Sequence, residues 1–274
     1  MLIILISCIF LGSAVGFLAG LLGIGGGLIV VPALVYLLPY IQMGSDVTGQ
    51  GVALSNEVIM PMALATSLAA IVLTSASAAW AHQKNNNIPW EITKPLMFTV
   101  ALGALLGAFI ADHLSAKTLT HFFATAVCLL ASYMLLSIRI QRTKEMPSNI
   151  KLQFISFITG VVASLMGMAG GAILVPVLTF FGMPLRHCIG IATVCGVMVA
   201  LFGSLGYIIS GFGNELLPEW SLGYVYLPAL LGIVLTSSLF APIGVKYANK
   251  LPVQTLKKTF AIFLILVALK MVFA

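Results

Sequence analysis

Apolar residues run along this chain in blocks of about twenty, broken by short polar stretches. The blocks fall at 59–81, 95–113, 119–138, 188–211, 222–245 and 255–273, each near the ~20 residues that a helix needs to span a bilayer. Two further apolar stretches, 3–39 and 152–182, are interrupted by glycine clusters. Each is either one broken spanning helix or a hairpin that returns to its starting side. Residues 1–22 share only their apolar character with a signal peptide, because they have no basic leading region and Gly20-Leu21-Leu22-Gly23 is a poor cleavage site. They are kept as structure.

The pattern recurs within the chain. Residues 16–39 align without gaps on 160–183 with ten identities in 24, and Gly16, Gly23, Gly26, Gly27 and Pro32 match Gly160, Gly167, Gly170, Gly171 and Pro176. Residues 114–136 align on 251–273 with eight identities in 23, and Ala65-Thr66 falls opposite Ala192-Thr193. The chain therefore divides into repeat 1 (1–140), a polar linker (141–151) and repeat 2 (152–274), the seam lying in the polar loop 139–151.

Composition makes the membrane assignment firm. Of 274 residues 61% are hydrophobic and 7% charged, against about 25% charged in a soluble domain, and the mean hydropathy is +1.14. A soluble enzyme, a nucleic-acid binder and a disordered regulator are excluded. Cys8, Cys128, Cys188 and Cys195 all lie in apolar stretches with no CxxC pair, so neither a disulfide framework nor a metal site is implied.

Charge then chooses between the two topologies. If each glycine-containing stretch crosses once, the 13 Lys and Arg divide seven to six between the faces. If each is a hairpin, the loops at 82–94, 139–151, 183–187 and 246–258 share one face, which holds 11 of the 13. The second split obeys the positive-inside rule. The fold expected is thus an all-α polytopic membrane protein of two inverted repeats and 8–10 helical segments. Each repeat is a Gly-rich re-entrant hairpin (3–39 or 152–182) followed by three spanning helices. Six full spans and two hairpins result, with both termini outside and 139–151 in the cytoplasm. That is the plan of many secondary transporters.

The glycines Gly23-x-Gly25-Gly26-Gly27 and Gly167-x-Ala169-Gly170-Gly171 would sit at the hairpin tips. Glycine permits the positive-φ turns such a bend needs, and the helix restarting after it presents bare N–H groups and a positive dipole end. An anion can approach such a backbone closely. Two tips, one from each face, would meet near the midplane. Close helix packing is the competing role for these glycines; a nucleotide loop is excluded, since no Gly-Lys-Ser/Thr follows. Pro32 and Pro176, about one turn on, fit the start of a helix, and Asn56 is a candidate cap.

Thr66, Ser67 and Thr193 are hydroxyls in otherwise apolar helices. They either bond back to their own helix or line a shared cavity, and Ser75, Ser77 and Ser204 would extend a polar stripe. Glu57, Asp112, Arg186, His82, His121 and His187 fall near predicted ends, where an interface position is the default, and Lys270 would snorkel. No His-x-x-x-His, buried Asp pair or Cys-His spacing is present, so no enzyme, catalytic residue, metal or cofactor is expected.

At these residues the chain resembles the TauE/SafE sulfite exporter family of membrane transporters. The paired glycine segments appear as LAGLLGIGGGLIVVP and VASLMGMAGGAILVP, and the following G-T-S-like segment as Ala65-Thr66-Ser67 and Ala192-Thr193-Val194. The resemblance covers essentially the whole chain. It implies movement of sulfite, a sulfonate or another organosulfur anion across the bacterial cytoplasmic membrane. It points to Gly25, Gly26, Gly27, Thr66, Ser67, Gly170, Gly171 and Thr193 as substrate-binding residues. Ala169, Val194 and the alanines before both threonines depart from the family pattern. The partners expected are a small anion and the lipid bilayer, with no nucleic acid; a homo-oligomer stays open. An anion channel of the same architecture, or a carrier of a non-sulfur anion, stays open as well.

Overall fold

The computed structural model describes residues 12–17, 26–43, 54–136, 147–248, 261–262, 264–266 and 268–271. They are predominantly helical. In chain order the helices are α1 (Gly27–Met43), α2 (Asn56–Lys84), α3 (Trp90–Asp112), α4 (Ala116–Leu136), α5 (Asn149–Leu165), α6 (Gly171–Phe180), α7 (Leu185–Ser210) and α8 (Leu227–Ala248). A small antiparallel hairpin of β1 (Ser221–Leu222) and β2 (Val225–Tyr226) precedes α8. Residues 12–17 are also helical. Among the described residues α2, α3 and α7 are long and apolar enough to cross a membrane, while 27–39, α5, α6 and 227–237 are shorter apolar helices.

Small residues set the packing and fix the helix directions. A Cβ at Gly103 would strike the Phe157 carbonyl, one at Gly107 would lie 2.6 Å from the Val161 carbonyl, and one at Gly160 would strike the Val100 carbonyl. Matching positions advance together on α3 and α5, so these two helices run parallel with their backbones nearly touching. In lipid, where apolar surface gains little by meeting apolar surface, such contact is what binds helices. Gly190 sits against Asn87 and Gly206 against Ala108, so α7 runs parallel to α3 and antiparallel to α2.

The ends of α2 and the starts of α3, α5 and α7 consequently lie together, and with them Lys84, Lys94, Lys151 and Arg186. Trp80 and Trp90 mark the same end. The Lys84 ammonium stands 3.6 Å from the centre of the Trp80 ring and Trp90 Nε1 donates to Gln83 Oε1 at 2.8 Å, as in an interfacial aromatic belt. Since α5 and α7 start at one end, residues 149–184 leave it and return to it. Gly12 packs on Ile233 and Thr236 and Gly16 on Ser237, so residues 12–17 descend alongside α8 from the Asp112 end. From Gly27 beside Ile71, α1 runs antiparallel to α2, back toward the start of α2.

Several expectations change. The helix expected over 222–245 starts at Leu227, because Gly223 (φ 53°) turns the chain and the residues on either side pair as strands. Ser55, not Asn56, caps α2, its Oγ accepting from Glu57 N–H at 3.2 Å. Pro32 and Pro176 each stand at the sixth position of their helices rather than in the first turn, and each therefore leaves one carbonyl of the first turn without its ladder partner. Most of 255–273 and the linker core 137–146 lie outside the described residues.

Candidate functional site

The site is built at the interruption between α5 and α6. At the end of α5 the N–H of Met168 bonds the Ala163 carbonyl (3.0 Å) and that of Gly167 bonds the Ser164 carbonyl (3.1 Å), with Gly167 left-handed at φ 60°. These are the two bonds of a Schellman stop, which favours glycine at its left-handed position. Three residues on, Gly170 is left-handed again (φ 70°) and opens α6. Its carbonyl takes the N–H groups of Ile173 and Leu174 at 3.1 and 3.0 Å. The first repeat does the same: Gly26 has φ 74° and its carbonyl takes Ile29 and Val30 at 3.0 and 3.1 Å. Gly26 and Gly170 are thus one local structure used twice. Gly25 lies outside the described residues.

The two elbows touch. A Cβ at Gly27 would lie 2.7 Å from the Gly167 carbonyl oxygen and 2.9 Å from Met168 Cα, so only glycine admits this approach. Ser67 Oγ donates to the same Gly167 carbonyl at 2.8 Å, in a buried bond between residues 100 apart in sequence. Its neighbour Thr66, equally buried, accepts through Oγ1 from the Tyr226 N–H at 3.0 Å. Thr193 does not join them: its hydroxyl bonds back to the Gly190 carbonyl one turn earlier, at 2.8 Å. The polar stripe dissolves likewise, since Ser204 bonds its own helix at Leu201 and Ser77 is exposed, while Ser75 is buried.

The elbows differ in access. Gly26 and Gly27 are buried, whereas Gly171 is half-buried and a Cβ there would meet only Ala192 Cβ, at 3.8 Å. Because the ladder of α6 begins at Ile173, the N–H groups of Gly171 and Ala172 stand ahead of it, at the positive end of the helix dipole. Ala169 lies against Gly196 on α7. Val194 helps line a cavity of about 300 Å³ between α2, α3 and α7 at the cation-rich end, with Ala76, Trp80, Trp90 and Met198.

Sequence reasoning missed Ser164. It is fully buried, and its Oγ has no hydrogen-bond partner among the described residues, while its carbonyl accepts from Tyr207 Oη at 3.4 Å. The signal was present in the alignment, where Ser164 stands opposite Gly20. Also missed was the polar cluster at the far end, where Tyr224 Oη donates to Asp112 Oδ1 at 2.9 Å and Asn214 Nδ2 reaches Tyr224 Oη at 3.5 Å. Burial pushes the Tyr224 phenol above its ordinary value, and the bond to Asp112 acts in the same direction. The candidate groups near helix ends stay there: Asp112, Glu57, Arg186 and His121 are exposed, and Lys270 Nζ lies 4.6 Å from the centre of the Tyr36 ring.

The family model for the sulfite exporter TauE/SafE matches residues 8–271. The chain belongs to the sulfite exporter TauE/SafE family. A "probable membrane transporter protein" of Haemophilus influenzae is 39% identical over 265 residues, covering 96% of each chain. Similar proteins of the same description occur in Methanocaldococcus jannaschii, 22% identical with 91% and 88% covered, and in Bacillus subtilis, where YdhB is 25% identical with 91% of each covered. No solved structure matches the chain. As a TauE/SafE protein with several membrane-capable helices, the chain is a multi-pass cell-membrane transporter, not an enzyme.

Proposed function

We propose that this TauE/SafE protein carries a small anion, sulfite, a sulfonate or another organosulfur anion, across the bacterial cytoplasmic membrane by alternating access. The two repeats are inverted in this reading, and the anion binds where the glycine elbows meet. The observation that carries it is the contact of Gly27 with the Gly167 carbonyl, with Ser67 on the same oxygen. It brings the two interrupted helices to one point. The directions of 12–17 and of α1, opposed to those of α5 and α6, support the inversion, and the open start of α6 at Gly171 supports an anion among backbone N–H groups.

An interior nearly free of formal charge suits a carrier. Backbone dipoles attract the anion without holding it as a lysine would. A negative-inside potential favours outward movement of one negative charge by about 2.3 kcal/mol per 100 mV, enough to drive export with no coupled ion required. Gly26, Gly27, Gly170 and Gly171 form the backbone cradle, Ser67 braces it, and Thr66 and Thr193 stand on the flanking helices.

The test is a thermal-shift screen of the purified protein against sulfite, sulfate, thiosulfate, sulfonates and carboxylates, followed by flux of the stabilising anion in liposomes. A saturable, counter-transported flux that is lost in Gly171→Leu is expected. Normal flux in both Gly171→Leu and Gly26→Leu would assign the glycines to packing alone, and an ohmic current would replace the carrier by a channel.

A further inference from the structure

The segment between α7 and α8 has no equal in the first repeat. Five residues, 85–89, join α2 to α3, whereas 16 residues, 211–226, join α7 to α8. This long segment folds back onto the helices at the Asp112 end. Gly223 lies against the backbone of Ile208, and the Tyr224 N–H bonds the Tyr207 carbonyl at 3.4 Å, with the two tyrosine rings edge to face at 6.4 Å. We propose that the β1–β2 hairpin is a gate that closes this end of the transport path, latched by Tyr224 on Asp112 and by the Tyr226 N–H on Thr66.

Three observations carry the gate. The first is reach. Tyr226 bonds a fully buried hydroxyl whose neighbour, Ser67, braces the elbow at Gly167. Adjacent residues of α2 thus tie the hairpin to the candidate site, and movement of one is felt by the other. The second is poise. The closed hairpin leaves Ser221 Oγ and, at the end of α7, Ser210 Oγ buried without partners among the described residues. It also holds Trp220 at φ 66°, a conformation costly to a bulky side chain. Unsatisfied buried hydroxyls and backbone strain oppose the latches, so the closed state is held by a narrow margin. The third is asymmetry. The hairpin covers the Asp112 end, whereas the cavity of about 300 Å³ lies at the opposite end, beside Trp80 and Trp90.

The gate rests on the transport reading only in needing a path to close, and its test does not depend on the cargo. Hydrogen exchange of peptide 219–227 is measured on the intact protein in lipid nanodiscs. Tyr224→Phe and Asp112→Asn should each speed exchange at Tyr226 at least ten-fold, about 1.4 kcal/mol, with the amides of α7 around Gly203 unchanged. Unchanged exchange at Tyr226 in both variants overturns the proposal. If either variant exchanges faster throughout, the decision passes to Asp112→Cys/Tyr224→Cys in a background with the four native cysteines replaced by alanine. Bridging that pair with a bifunctional thiol reagent should stop flux, and reduction should restore it; flux that continues through the bridged protein overturns the gate. A parent that moves none of the anions overturns the transport reading and leaves the exchange result standing.

Discussion

Replacing Gly27 by alanine tests the contact that brings the two elbows together. Gly27 is helical, so alanine gains up to about 1 kcal/mol of helix propensity. Against that gain, the new Cβ would stand 2.7 Å from the Gly167 carbonyl oxygen, 2.8 Å from Ile71 Cδ1 and 2.9 Å from Met168 Cα. The end of the Ile71 side chain can yield. The other two atoms are backbone in the Schellman turn, and they move only if the elbows part. Overpacking of this kind costs about 1–3 kcal/mol, and subtracting the propensity gain from the middle of that range leaves a net loss of about 1 kcal/mol. At about 2–4 °C per kcal/mol for a chain of this size, the melting temperature should fall by about 2–4 °C. Gly171→Ala is the control: it makes the same chemical change where the nearest atom is 3.8 Å away, and its melting temperature should hold or rise slightly. Both are read by tryptophan fluorescence during heating in one detergent. A Gly27→Ala protein as stable as the parent, or a Gly171→Ala protein that falls as far, would refute the geometry of the meeting elbows.

Two further outcomes follow from the hydroxyls and from Tyr224. Ser67→Ala strips the buried Gly167 carbonyl of its donor and should cost about 1–3 kcal/mol, whereas Thr193→Ala removes only a bond within its own helix and should be close to neutral; equal losses in the two melting curves would contradict the assignment. The Tyr224 phenol is pushed above its ordinary value by burial and by Asp112, so the folded protein prefers the neutral phenol. Its stabilisation is complete below about pH 10 and is lost as pH rises through the folded value. Melting temperature should therefore fall more steeply above pH 10 in the parent than in Tyr224→Phe, and parallel curves would remove the linkage.

How much of this was legible depends on the kind of signal. Glycine positions were, because an elbow needs φ near +70° and the alignment of 16–39 on 160–183 marks the same residue twice, as Gly26 and Gly170. Charge was legible too: Lys84, Lys94, Lys151 and Arg186 identify one end of the bundle from sequence, since cations in short loops avoid translocation. The hairpin was not. Ser221-Leu222-Gly223-Tyr224-Val225-Tyr226 is apolar enough to extend the following helix, and it turns because Gly223 goes left-handed where it packs on Ile208 beside Tyr207. Hydroxyl partners were illegible for a related reason. Thr66, Ser67 and Thr193 look alike in sequence, yet one accepts from a distant backbone, one donates to a distant backbone and one bonds its own helix. Which of these occurs depends on what arrives at 3 Å from another part of the chain, and no local pattern encodes that.

Sequence alone set packing and site-building against each other as roles for the glycines, and the structure distributes those roles by position. Gly103, Gly107 and Gly160 lie where a Cβ would strike the carbonyl or backbone of the neighbouring helix, so they bind α3 to α5 and make a rigid pair. Gly26, Gly167 and Gly170 carry left-handed backbone and shape the elbows; a side chain there costs about 1–2 kcal/mol through conformation alone. Gly171 meets neither constraint, since its backbone continues a right-handed helix and a Cβ would fit beside Ala192. What a side chain at Gly171 would change is the closeness with which something else can approach the start of α6. Packing explains the first group and turn geometry the second, but neither explains Gly171. That residue is where substitution separates a transport role from a structural one, because its loss should leave the fold intact.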